Sequence, residues 1–193
     1  IAGKAEWATF AWTAALSVSY AFVMLTMPSI GAYADMHGAK KKLLMFATIA
    51  CVLATAALSF AGPGSVALAV LLIILSNTFF SYGESLTGSF LPELAKPEAF
   101  GKVSGWGWSF GYFGGMLALG ISLGYVLWAQ SKGISAGLFV PVTMVITAVI
   151  YGAAASVTFW LLKERAVPNP NAMRQSGFKA SLEQLKTTFN QAK

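Results

Sequence analysis

Thirteen Lys and Arg, seven Asp and Glu, one His and one Cys carry almost all the acid–base and ligating chemistry of this 193-residue chain. One histidine and one cysteine cannot build a metal site together, and no H-E-x-x-H, G-x-S-x-G, CxxC or P-loop pattern occurs, so the sequence reads as non-enzymatic and calls for no metal or cofactor. What remains is a small set of polar side chains set inside long apolar runs. Glu84 is the most telling. A carboxylate at the centre of a membrane helix costs about 2.5–3.5 kcal/mol on insertion scales, so one that persists there is expected to face protein, where it can bind a proton or a substrate amine. The plainer alternative is an interfacial glutamate. Asn77 precedes Glu84 by seven residues and shares its helix face. Asn77, Tyr82 and Glu84 are therefore the expected cavity-lining set. Thr143, Thr147 and Tyr151 recur at i, i+4 and i+8 and form a weaker one, because most such hydroxyls bond carbonyls of their own helix.

These residues need elements to hold them, and composition names the kind. The chain is 56% hydrophobic and only 10% charged, against roughly 25% charged in soluble domains. No charge occurs over residues 7–34, 43–83, 103–131 or 133–162. A bilayer core of about 30 Å takes about 20 helical residues. The second run is twice that length and is interrupted by Ala61-Gly-Pro-Gly-Ser65, a turn composition, so it is a helical hairpin. Five spans follow, at about 11–30, 43–60, 66–91, 105–130 and 137–162. Residues 66–75 read VALAVLLIIL, apolar on every side, which excludes the alternation of a barrel strand. The fold class is all-α, a polytopic membrane helical bundle. Glu84 lies 18 residues from the outer end of its span at Val66, about 27 Å deep and towards the cytoplasm.

Orientation follows from Lys and Arg. Eleven of the thirteen lie in the 31–42 loop, the 92–104 loop and the tail after Leu162, and only Lys4 and Lys132 lie on the opposite side. The eleven belong in the cytoplasm. Trp7, Trp12 and Trp128 then fall near the outer interface and Trp106, Trp108 and Trp160 near the inner one, an aromatic belt at both surfaces. The net charge of +6 records topology and does not call for nucleic acid. An odd number of spans, an outside amino end and a start at Ile1 predict at least one further helix upstream.

In the first cytoplasmic connection, Gly31-Ala-Tyr-Ala-Asp35-Met-His-Gly38-Ala-Lys40-Lys-Lys42 reads G-x-x-x-D-x-x-G with basic residues after it. Gly31 allows a close approach or an abrupt helix end, Gly38 allows positive φ, and Asp35 can accept backbone N–H groups or sit by a cation. The residues alone are equally consistent with an ordinary polar turn. The segment resembles the signature loop between the second and third helices of the major facilitator superfamily of secondary transporters. Gly31, Asp35, Gly38 and Lys40 match, while Ala39 replaces the first basic residue. The resemblance implies a conformational-switch loop that braces two six-helix halves, and it numbers the five spans as helices two to six of the N-terminal half.

A second string narrows the family. Ser89-Phe-Leu-Pro-Glu-Leu-Ala-Lys-Pro-Glu98 and Gly101-Lys-Val-Ser-Gly-Trp-Gly-Trp-Ser-Phe-Gly-Tyr-Phe-Gly-Gly115 resemble the vacuole-effluxer-like branch, whose fungal members are autophagy-related vacuolar amino-acid exporters. Gly88 stands where an Asn is usual. Gly107, Gly111 and Gly115 repeat every four residues, a small-residue stripe that lets helix backbones approach closely in lipid. The superfamily's exchanger glycine motif is not met, since its Pro is missing, so antiport is not inferred. Past Leu162 the chain turns soluble in character, and residues 163–193 read as the central linker, with an amphipathic helix at about 178–191 on the inner membrane surface.

Together these readings imply a secondary transporter of amino acids or similar small solutes, with protons as the candidate coupling ion, working by alternating access. Its partners are the bilayer, a first helix and a C-terminal half of the same protein. Its location is a bacterial cytoplasmic membrane, or a vacuolar membrane in a eukaryote. The competing reading is a non-transporting assembly protein or an inactive half-transporter. The topology is directly testable: in a Cys51→Ser background, Ser65→Cys will react with a membrane-impermeant maleimide on intact cells, and Lys96→Cys only after permeabilisation.

Overall fold

The computed structural model describes residues 7–62 and 64–164. The linker from residue 165 onwards, with its expected amphipathic helix at 178–191, lies outside them. Among the described residues there are no strands. The elements are α1 (Ala8–His37), α2 (Lys40–Ala57), α3 (Val66–Gly88), the short α4 (Leu91–Leu94), α5 (Phe100–Ser131) and α6 (Ala136–Leu161), with single 3-10 turns at Leu58–Phe60 and Pro97–Ala99. Five helices are long and apolar enough to cross a membrane. The protein is a multi-pass helical membrane protein.

The helix ends correct the expected boundaries. α1 runs straight through Gly31 and Asp35, and a Cβ on Gly31 would meet open space. Gly31 therefore neither ends the helix nor permits a close contact among the described residues. What stops α1 is Gly38, at φ 56° in the left-handed region, with the Ala39 N–H bonded 3.0 Å from the Ala34 carbonyl. That i+5 bond through a glycine satisfies carbonyls that the helix end leaves open. The expected 31–42 loop is thus a two-residue turn. Gly133, at φ 73°, closes α5 in the same way, with Ile134 N–H bonded 3.0 Å from the Ala129 carbonyl. Neither Pro28 in α1 nor Pro141 in the first turns of α6 divides its helix.

The helices form an open arc. α3 packs between α1 and α2, α6 packs on the far side of α2, and α5 packs on α6 and on the short segments preceding it. Lipid supplies no hydrophobic drive between helices, so close contact rests on small side chains and on hydrogen bonds between helices. α3 has both. Asn77 Nδ2 donates to Ser19 Oγ of α1 at 2.6 Å, the Tyr82 and Thr26 hydroxyls meet across the same interface, and Thr55 and Ser76 hydroxyls join α2 to α3 at 2.7 Å. Ala69, Gly83, Ala47, Cys51 and Ala54 supply the small residues at the buried faces. At Gly83 a Cβ would lie 3.6 Å from the Tyr151 hydroxyl and 3.9 Å from Leu44 Cδ1, ordinary contact distances.

The glycine stripe of α5 behaves otherwise. Gly107, Gly111 and Gly115 have open space where a Cβ would sit. The expected packing groove is unfilled among the described residues because α5 meets α6 through other positions. At Gly83, by contrast, the contact is real and its limit can be measured. Gly83→Ala will unfold in detergent like the parent, whereas Gly83→Leu will push α3 off α2 and α6 and lower unfolding stability by about 1–3 kcal/mol.

Candidate functional site

The ends of α1, α2 and α3 are tied together around one lysine, and its neighbour reaches the end of α6. The tight turn at Gly38 brings Lys40, the first residue of α2, back beside Asp35 in the last turns of α1, with Nζ and Oδ1 3.1 Å apart. The same Nζ lies 3.2 Å from Glu93 Oε1 and 3.4 Å from the Ser89 carbonyl oxygen. Glu93 sits in the first turn of α4, whose second residue is Pro92, at a position where a missing N–H costs nothing. One residue on, Lys41 Nζ donates to the Leu162 carbonyl just past α6.

Three lysines in the first turn of a helix oppose its dipole. Asp35 and Glu93 offset that, and they do so unequally. The Asp35 side chain is 66% exposed, while those of Lys40 and Glu93 are 12% and 15% exposed. An exposed pair contributes about 0–1 kcal/mol. Removing one partner of a largely buried pair strands the other charge and costs more. Beneath the charges lies an apolar plug of Ala34, Leu44, Leu86 and Phe90, the last only 1% exposed, with Met27, Leu43, Phe159 and Leu162 packed on it. Ala39, where a basic residue is usual, makes no difference to this pairing, because Lys40 reaches both carboxylates.

The second feature is an apolar groove on the concave side of the arc, about 820 Å³ in volume and walled chiefly by α3, α5 and α6. It shares Trp12, Leu58 and Ile73 with a smaller groove of about 440 Å³ at the outer end, so the two run together. Asn77, Glu84, Thr147 and Tyr151 all line the larger groove. Glu84 has no hydrogen bond or ion pair among the described residues. Tyr82 is placed elsewhere: it is buried, turned towards α1, with its hydroxyl against Thr26. The helix period explains this, since Tyr82 lies two residues, or about 200°, from Glu84. Thr143 does not line the groove either; its hydroxyl donates to the Val140 carbonyl at 2.7 Å, and Thr147 donates to the Thr143 carbonyl at 2.9 Å. Tyr151 pairs with the buried Thr48. Among the described residues no group of His, Cys, Asp or Glu could hold a metal ion.

Sequence reasoning singled out Asp35 and Lys40 but left Glu93, Ser89 and Lys41 without a role. The Leu91-Pro-Glu93 string was visible. Its register against Lys40, 53 residues away, was not.

Five helices long and apolar enough to cross a membrane, a charge-bridged turn and a lined groove define a multi-pass membrane protein with a cleft between its helices. Residues 5–193 match the family model described as Vacuole effluxer Atg22 like, and the chain belongs to that family. It is also similar to the uncharacterized MFS-type transporter YxiO of Bacillus subtilis (strain 168), at 31% identity over 119 residues, which are 62% of this chain and 28% of that one. The chain thus spans well under half the length of this curated relative. No solved structure matches it.

The lysine bridge generates a quantitative expectation. A double-mutant cycle on Lys40→Met and Glu93→Gln, read by unfolding in detergent, will give a coupling of about 1–2 kcal/mol, against about 0.5 kcal/mol or less for Lys40→Met with Asp35→Asn.

Proposed function

We propose that the protein is a secondary active transporter of amino acids or similar small solutes, and that these five helices are helices two to six of its N-terminal half. The single observation that carries this reading is Lys40, which joins the end of α1 to the segment after α3 through Asp35, Glu93 and the Ser89 carbonyl. A transporter that alternates between two states needs helix ends that move as one body and bonds that can be exchanged at low cost. The Asp35 contact is exposed enough to exchange, while the Glu93 contact is sheltered enough to hold. We assign Gly38, Asp35 and Lys40 to the switch, and Asn77, Glu84, Thr147 and Tyr151 to the solute or proton pathway. A first helix and a C-terminal half of the same protein complete the cavity. The membrane is the cytoplasmic membrane of a bacterium, or a vacuolar membrane if the source is eukaryotic.

The test is transport by the full-length protein in proteoliposomes, using a panel of labelled amino acids with and without a pH gradient. Lys40→Met will lower transport at least tenfold, and Lys40→Arg will restore most of it. Glu84→Gln will abolish gradient-driven uptake. Gradient-driven uptake unchanged in Glu84→Gln would remove the coupling role from that carboxylate, and absence of any transport across the panel would count against the solute class.

A further inference from the structure

The groove's charge pattern narrows the solute. We propose that it binds the ammonium group of an amine with an apolar body against Glu84, with aromatic rings forming the walls; this rests on the transporter reading above.

A volume of about 820 Å³ falls within the range of small-molecule sites. Among the described residues Glu84 is the one formally charged residue lining it, and no described Lys, Arg or His joins it there. Two cations at the neighbouring helix ends have partners of their own, Lys40 on Asp35 and Glu93, and Lys41 on the Leu162 carbonyl. Asn77 spends an amide N–H on Ser19, which leaves its carbonyl oxygen as an acceptor on the groove face. Two fixed acceptors seven residues apart on α3, about 10 Å along the helix, suit a ligand rich in donors.

The apolar walls fit a cation as well. Phe80 precedes Glu84 by one turn on the same face, and its ring lies 6.2 Å from that of Tyr151. On α5, the Trp108 and Tyr112 rings also line the groove and stand 6.2 Å apart. Aromatic faces attract a cation electrostatically, more strongly where water is excluded. A carboxylate entering the same space meets Glu84 and finds no counter-charge among the described lining residues. A zwitterion gains at one end and loses at the other. The expected order of affinity is therefore amine, then zwitterion, then anion, for one and the same apolar body.

Four probes share a phenyl body: phenethylamine, phenylalanine, N-acetylphenethylamine and 3-phenylpropionate. Their binding is read by tryptophan fluorescence of the full-length protein in nanodiscs, with Trp108→Phe to locate the signal. Phenethylamine will bind at least tenfold more tightly than its N-acetyl form, and 3-phenylpropionate will bind weakest. Glu84→Gln will erase that discrimination with an unchanged melting temperature, Glu84→Asp will keep part of it, and Phe80→Leu will weaken the amine roughly 3–10-fold. Equal binding of all four probes, or discrimination that survives Glu84→Gln, overturns the proposal. Vesicle transport separates the two readings. Amine binding with no solute movement defeats the transporter reading and leaves the site standing; movement of a solute with which phenethylamine does not compete defeats the site and leaves the transporter standing.

Discussion

Lipid offers no hydrogen bonds, and the rest of this structure follows from that. Each backbone group within the bilayer must be satisfied inside its own helix, so the chain can change direction only where water or a special backbone geometry takes over. The left-handed glycines at 38 and 133 do this within two or three residues, which lets α1 and α5 keep their hydrogen-bond ladders almost to their last turns. The same rule governs side chains. Ser19, Thr26, Thr55, Ser76, Asn77 and Tyr82 pair across helix interfaces, where each bond both satisfies a polar group and sets the register of two helices. The buried Thr78 hydroxyl is an exception in the α3 core, with no hydrogen-bond partner among the described residues.

Where the helices reach water, charge takes over from hydroxyl pairing. Lys40 sits at the unfavourable end of α2's dipole, yet its position is determined by two carboxylates from different helices and by a main-chain carbonyl. Below it, Phe90 and Leu86 fill the space between Ala34 and Leu44. The charged bridge and the apolar plug therefore act on the same four helix ends, one supplying direction and the other volume. Lys41 extends the connection to the exit of α6, so that the end of the described bundle and the start of α2 share a contact.

Much of this was legible in one dimension. Charge-free runs longer than 20 residues and the Gly-Pro-Gly break required five helices, because insertion energy depends on side-chain type summed along the segment. The G-x-x-x-D-x-x-G string and the Leu91-Pro-Glu93 string identified the family. The exact ends were less legible: Gly31 and Gly38 look alike as residues, and only the backbone conformation shows that one continues a helix and the other stops it. The candidate site divided along the same line. Asn77 and Glu84 share a face by period alone and do share the groove. Tyr82 was grouped with them by proximity in sequence, and the helix turned it to the opposite side.

The sequence by itself determined that the protein lives in a membrane, how many helices of the described chain are long and apolar enough to cross it and which family it belongs to. All of these depend on local composition or on contiguous strings. Tertiary structure alone decided that Lys40 answers to Glu93 as well as Asp35, that Gly111 and Gly115 of α5 line an open groove, and that Glu84 faces that groove with no partner among the described residues. Those facts depend on helix rotation and on contacts between residues tens of positions apart. Apolar helices that look alike from every side carry little record of either in their sequence.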